Sequence, residues 1–266
     1  MIRFLLTMSI ALGAFAQQAT PVLIPVYYNG PGAFGSQWYT QVSINNFTSQ
    51  IVEGRGVTFV SRACAIPEGC PRTRLAAGDF GTVGGRDMFD PGPNWGTGFL
   101  LYIPSNEVDD FELDARFGEK TRNQYGVEMP IAREDDFRRA PIVLPYVAWI
   151  GHGNELRTTL RVYSPDAIDG QQVRVEIYYP DVRVSPTPLA TATLTLSLSD
   201  PPGTEAPVRP AYAQVDLQSR FPGIFTGTAR VEVVPLQKGG VTPRIWAIAT
   251  AVRNDTNEVA MFSPRH

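Results

Sequence analysis

Pro21-Val22-Leu23-Ile24-Pro25 returns 120 residues later as Pro141-Ile142-Val143-Leu144-Pro145, a short apolar run closed by proline at both ends. Each copy runs on through a glycine-containing turn into an alternating segment. In the first it is Thr40-Gln41-Val42-Ser43-Ile44, in the second Thr158-Thr159-Leu160-Arg161-Val162. Alternation at period two is the signature of a strand with one face inward. Proline cannot donate to a ladder, so the proline pairs suit an edge strand or one that switches sheets. The ends of the copies also align. Phe111, Leu113, Ala115 and Phe117 fall on Trp246, Ile248, Thr250 and Val252, and Val127-Glu128-Met129 falls on Val259-Ala260-Met261.

Working outward, strand signals dominate: Gln37–Ile44, Gln171–Tyr178, Thr191–Leu198, Thr228–Val233 and Ile245–Val252 all alternate. Phe99–Ile103 is continuously apolar and reads as a strand buried on both faces. The 24 glycines and 23 prolines fall mostly between these runs, as turn punctuation. Outside the N-terminal segment no window carries a helical stripe. Strands without crossover helices form antiparallel sheets. The expected fold is therefore all-β: two tandem antiparallel β-sandwich domains of immunoglobulin-like type. The first spans 17–131 and the second 141–266. The charged stretch 132–140 reads as a solvated linker, in which Glu134, Asp135 and Asp136 are poorly arranged for a cation without help from elsewhere.

Met1–Ala16 reads as a secretory signal peptide, with Arg3, an apolar core and Ala14-Phe15-Ala16 as cleavage site. It is shorter than the roughly 20 residues a membrane span needs, and no later stretch supplies one. The expected address is thus secreted, periplasmic or extracellular. The formal net charge of −3, with dispersed Lys and Arg, argues against nucleic acid as a partner. The two cysteines, Cys64 and Cys70, read as a disulfide in an exported chain. A loop that short contributes about 2 kcal/mol on the chain-entropy estimate. A zinc site lacks partners, because the only histidines are His152 and His266.

The first copy carries a long irregular insert, 62–96. Long loops on a rigid scaffold are where binding function concentrates. Trp95 in that insert and Tyr28 in the glycine-rich turn are candidate ligand-stacking rings. Asp87 and Asp90 are candidate ligand-binding carboxylates beside them. No cofactor is expected. Asp79, Asp87 and Asp90 make calcium the one ion worth testing, although their spacing matches no recognised calcium loop. Trp38, Trp149 and Trp246 lie on alternating strands and are expected to fill the sandwich cores. His152 sits in a Gly-His-Gly turn with no nucleophile elbow in the chain. Glu112 and Asp114 alternate with Phe111, Leu113 and Ala115 and belong on a wet strand face. Asn46-Phe47-Thr48 and Asn254-Asp255-Thr256 match the N-glycosylation pattern.

The segment Trp38-Tyr39-Thr40-Gln41-Val42-Ser43-Ile44-Asn45-Asn46 resembles a motif of uncharacterised exported bacterial proteins. Their tandem sandwich repeats open with a proline-bounded strand, a glycine turn and W-x-T-x-[VIL]-x-[VIL]-x-N. The second copy keeps Thr158, Leu160 and Val162 but has Leu156 for the tryptophan and Ser164 for the asparagine. The resemblance implies a β-sandwich outside the cytoplasm and assigns no residue a role. The functional expectation is a secreted, non-enzymatic binding or structural module engaging a protein or glycan surface. The alternatives are a small carboxylate-dependent hydrolase, or a surface-assembly subunit that pairs through sheet edges. The sequence leaves the oligomeric state open.

Overall fold

The computed structural model describes residues 19–32, 35–49, 52–57, 72–75, 80–84, 97–119, 126–148, 156–181, 186–198, 209–222, 224 and 227–264. The segments expected as signal peptide and disulfide loop lie outside them, as do Trp149 and His152. The first half carries β1 (Ala19–Tyr27), β2 (Asn29–Pro31), β3 (Gln37–Asn46), β4 (Val52–Val57), β5 (Arg72–Leu75), β6 (Phe80–Gly84), β7 (Thr97–Pro104), β8 (Phe111–Glu119) and β9 (Val127–Glu128). The second carries β10 (Ile142–Ala148), β11 (Leu156–Ala167), β12 (Gln172–Tyr178), β13 (Ala190–Thr195), β14 (Ser197–Leu198), β15 (Arg209–Asp216), β16 (Thr228–Pro235), β17 (Trp246–Arg253) and β18 (Val259–Phe262), with one short helix, α1 (Leu217–Arg220). The fold is all-β, and every pairing between these strands is antiparallel.

The two halves share one strand order. The first half pairs β1-β7-β4-β5 in one sheet; its other sheet runs β2-β3-β8-β9, with β6 also on β3. The second pairs β10-β16-β12-β13 and β14-β15-β11-β17-β18. The pairing differs from the immunoglobulin order. There the first strand lies beside the second. Here β10 pairs with β16, and β11 lies in the other sheet. The run Thr191–Leu198 is divided: β13 pairs with β12, whereas β14 pairs with β15 in the other sheet.

Both proline-bounded strands are sheet edges, and both bulge at their second proline. The register shifts between Ile24 and Tyr27 in β1, and between Leu144 and Val147 in β10. A bulge turns backbone groups out of the ladder, and these must find partners elsewhere. Val26 O accepts from the buried Thr40 hydroxyl at 2.9 Å, and Ala148 O accepts from the buried Thr158 hydroxyl at 2.9 Å. Each threonine thus ties the edge strand of one sheet to the facing sheet. At the far end of the same strands, Asn46 Oδ1 accepts from Thr48 N at 3.2 Å, and Ser164 Oγ accepts from Asp166 N at 3.3 Å. The asparagine and the serine that replaces it make the same side-chain turn. Asn46 is fully buried, which removes it as a glycan acceptor.

Thr158 also accepts from Gln218 Nε2 at 2.9 Å, while Gln218 Oε1 takes the Thr158 N–H at 2.8 Å. Thr158→Val keeps the volume and leaves the Ala148 carbonyl without this hydroxyl. The expected loss is about 1–3 kcal/mol in urea unfolding with an unchanged m-value.

Three cores follow from these pairings. One lies within the first half: Val22, Ile24, Phe99, Leu101 and Ile103 face Trp38, Val42, Ile44, Phe111 and Phe117. One lies within the second: Leu144, Val173, Val175, Ile177 and Val231 face Leu160, Val162, Ala211, Ala247 and Ala249. The third joins the halves. Leu23 and Leu100 project from the back of the β1-β7 sheet onto Tyr163, Tyr212, Trp246 and Ile248 of the β11-β15-β17 sheet. As expected for Phe99–Ile103, β7 is buried on both faces.

The third core corrects three expectations. Trp246 does fill a core, but the one between the halves rather than its own sandwich. The alignment of Phe111 with Trp246 is one residue out. β3 pairs Thr40 with Phe117 and β11 pairs Thr158 with Ala251, so Phe117 corresponds to Ala251 and Phe111 to Ile245. A one-residue slip moves every side chain to the opposite face. The same slip applies to the last strand, where Met129 N bonds Ala115 O and Phe262 pairs with Ala249. Finally, the segment 132–140 is anchored at two points, while Arg133, Asp135, Arg138, Arg139 and Ala140 are exposed. Ala132 and Phe137 are buried in the shared core, and Ala132 exchanges backbone hydrogen bonds with Leu23. Two of its acids are matched within the chain: Glu134 pairs with Arg244, whose Nε also reaches Asp166 Oδ2 at 2.8 Å. Asp136 Oδ2 accepts from Arg133 N at 2.7 Å.

Candidate functional site

The face that β11 turns toward the first half changes character along its length. Residues 157, 159, 161 and 163 share that face because side chains alternate. The register sets Tyr163 between Tyr212 and Trp246, Arg161 between Gln214 and Ile248, Thr159 between Asp216 and Thr250, and Arg157 beside Val252. The aromatic end is pressed onto Leu23 and Leu100. The polar end is not, and there the two halves enclose a cleft of about 240 Å³.

One wall of the cleft is Arg157, Thr159, Arg161, Asp216, Thr250 and Val252; the other is Val26, Tyr28, Gly32, Trp38 and Phe117. The second wall is built from rings. Trp38 stacks on Phe117 with centroids 5.2 Å apart and planes 8° from parallel. Its indole N–H donates to Ser36 Oγ at 2.7 Å. Gly32 runs directly over that indole, and a Cβ there would come within 2.3 Å of Nε1, so the wall requires glycine. The Tyr28 hydroxyl donates to Pro31 O, and partial burial pushes its pKa up. Tyr28 thus presents its ring at the cleft with its hydroxyl engaged.

The first wall carries the charge. Arg161 Nη1 donates to Thr250 Oγ1 at 2.7 Å. Its Nε is buried and has no acceptor among the described residues. Arg161 makes no ion pair with a described carboxylate. Burial pulls the Arg157 pKa down, opposed by the charge of Asp216. Asp216 has a structural duty as well: it caps α1, accepting from Ser219 N at 2.7 Å. The cleft lining therefore holds two guanidinium groups and one carboxylate, which is committed to the helix cap.

Of the sequence-selected site residues, Tyr28 lines this cleft. Trp95, Asp87, Asp90, Asp79, Cys64 and Cys70 lie outside the described residues. Glu112 and Asp114 are exposed on the wet face of β8, Glu112 accepting from Asn45 and Asp114 facing Arg116 at 3.7 Å. Among the described residues no group of three or more His, Cys, Asp or Glu could hold a metal ion. No helix among them is long and apolar enough to cross a membrane. Sequence reasoning missed Arg157, Thr159 and Arg161. Their signal was an alternating basic face beside the aromatic Tyr163, which reads equally well as a solvated strand.

No family model, no curated protein and no solved structure matches the chain.

Proposed function

We propose that the chain is an exported, non-enzymatic binding module of tandem sandwich units that engages an extracellular or periplasmic glycan or protein surface. The observation carrying this reading is the cleft between the halves. A ring-lined wall faces a wall of guanidinium and hydroxyl groups, with a shared core holding the two at fixed separation. Ring faces beside convergent polar groups are the composition of a small-molecule or sugar site. A rigid frame lowers the ordering cost of binding. The calcium-dependent and carboxylate-hydrolase alternatives rest on Asp79, Asp87 and Asp90, and a reaction abolished by their substitution would replace this reading.

The test is co-sedimentation of the purified chain with insoluble polysaccharides and with isolated cell envelopes, with and without calcium. Saturable retention competed off by a soluble sugar is the expected result. Retention only on envelope protein favours the assembly reading, for which β10 supplies a specific feature. Val143 and Tyr146 are exposed on that edge strand, at 36% and 52%. Charging them, as in Val143→Lys, should then abolish concentration-dependent oligomers.

A further inference from the structure

We propose that the cleft between the halves recognises a carboxylate-bearing sugar ring, a hexuronate end group, with Arg161 as the residue that reads the carboxylate. The inference rests on the binding-module reading and narrows its ligand to one chemical class.

Arg161 carries the inference on geometry. Thr250 fixes one Nη, so the guanidinium is oriented rather than free to swing. The guanidinium also bonds the Tyr212 hydroxyl, while its buried Nε has no acceptor among the described residues. A buried donor without an acceptor is costly, and such groups call for a ligand to complete them. Guanidinium forks match carboxylates in shape as well as charge. The second wall selects what carries that carboxylate. Tyr28 is the partly exposed ring of that wall, with the buried Trp38–Phe117 stack as its apolar backing, and a ring face suits the C–H face of a pyranose. The volume of about 240 Å³ falls just below the span typical of drug-sized ligands and suits a single ring. Thr159 and Thr250 lie on the same wall as Arg161 and set hydroxyls beside its guanidinium, where ring hydroxyls would lie. Charge agrees: Arg157 and Arg161 against Asp216 leave a surplus of one positive charge in the cleft lining.

The test titrates the purified chain with glucuronate and galacturonate, with glucose and galactose, and with the corresponding uronamides, following tryptophan fluorescence and calorimetry. The uronates are expected to bind about 10- to 100-fold more tightly than either neutral set, the range a charge-assisted hydrogen bond gives. The advantage should shrink as salt rises. Arg161→Ala should remove it, and Arg161→Lys should restore part of it. If Arg161→Ala does not fold, the uronate-against-uronamide comparison on the unsubstituted chain decides the matter alone. Equal affinity for acid and amide overturns the carboxylate inference while the glycan reading stands. Binding of acidic peptides but of no sugar overturns it in favour of a protein ligand. Absence of binding to any of these, with envelopes still capturing the chain through the β10 edge, overturns both.

Discussion

Tyr163→Ala is expected to lower stability by about 3–5 kcal/mol and to divide a single unfolding transition into two. Tyr163 is fully buried at the centre of the core between the halves, with its ring 5.0 Å from that of Tyr212 and 6.4 Å from that of Trp246. Its hydroxyl donates to Pro25 O, the carbonyl that the β1 bulge turns away from its own sheet. The side chain therefore fills the joint and satisfies a backbone group of the other half. Tyr163→Phe separates the two roles: it keeps the packing and should cost about 1–3 kcal/mol for the orphaned carbonyl. Gly98→Ala attacks the same joint from the other side. A Cβ on Gly98 would sit 2.5 Å from the Tyr163 ring, inside contact distance, in a core with no slack to absorb it. The measurement is chemical denaturation followed both by far-ultraviolet circular dichroism and by fluorescence. Coincident transitions in Tyr163→Ala would show that the halves are not coupled through this residue.

The repeated strand signals were legible because each half buries one face of most strands. β3 is the clearest case: burial alternates without a fault from Gln37 to Asn46. What failed, failed where a strand is buried on both faces. From Trp246 to Ala251, β17 exposes no residue, so its alternation carries no polar marker of which side is the sandwich interior. Aligning Trp246 with Phe111 by size was reasonable and wrong by one position. The two buried anchors of the linker were illegible for a related reason. Ala132 and Phe137 are single apolar residues among charges, and only the packing of the halves gives them something to bury against. Glu134 and Asp166 find Arg244 110 and 78 residues away, respectively, in sequence. The cleft was illegible for the same cause. Arg157, Thr159 and Arg161 look like a wet face until the first half is brought over them. Tyr28 stands out in the sequence because an aromatic beside a glycine turn is a local signal; the wall opposite it in the fold is not local.

Raising the pH is expected to open the molecule at the joint before its individual sandwiches give way. Burial pushes the pKa of Tyr212 up to about 12, with nearby Arg161 opposing the shift. Burial pushes Tyr163 well above its ordinary value, assisted by Tyr212. On the outer face of the β12 sheet, Tyr178 is also raised to about 12, chiefly because its hydroxyl donates to the Glu176 carboxylate at 2.7 Å. An acid whose folded pKa lies above its unfolded value binds more protons in the folded state. Its contribution is therefore complete below pH about 10, the ordinary tyrosine value, and is lost as pH rises through about 12. For Tyr212 the loss across that window is on the order of a few kcal/mol. Tyr163 adds to the loss at the same place. The two rings touch, so ionising either puts a charge into a core shared by both halves, with Leu23, Leu100 and Ile248 around it. A titration of tyrosinate absorbance should show exposed tyrosines ionising first, near the ordinary value. A steep later step should follow, coincident with the change in tryptophan emission as Trp246 is uncovered. Tyr212→Phe should move that step to higher pH without moving the first. If the buried tyrosines instead titrate gradually near pH 10 while the fluorescence holds constant, the joint is open to water, and the rigid frame on which the binding cleft depends does not exist.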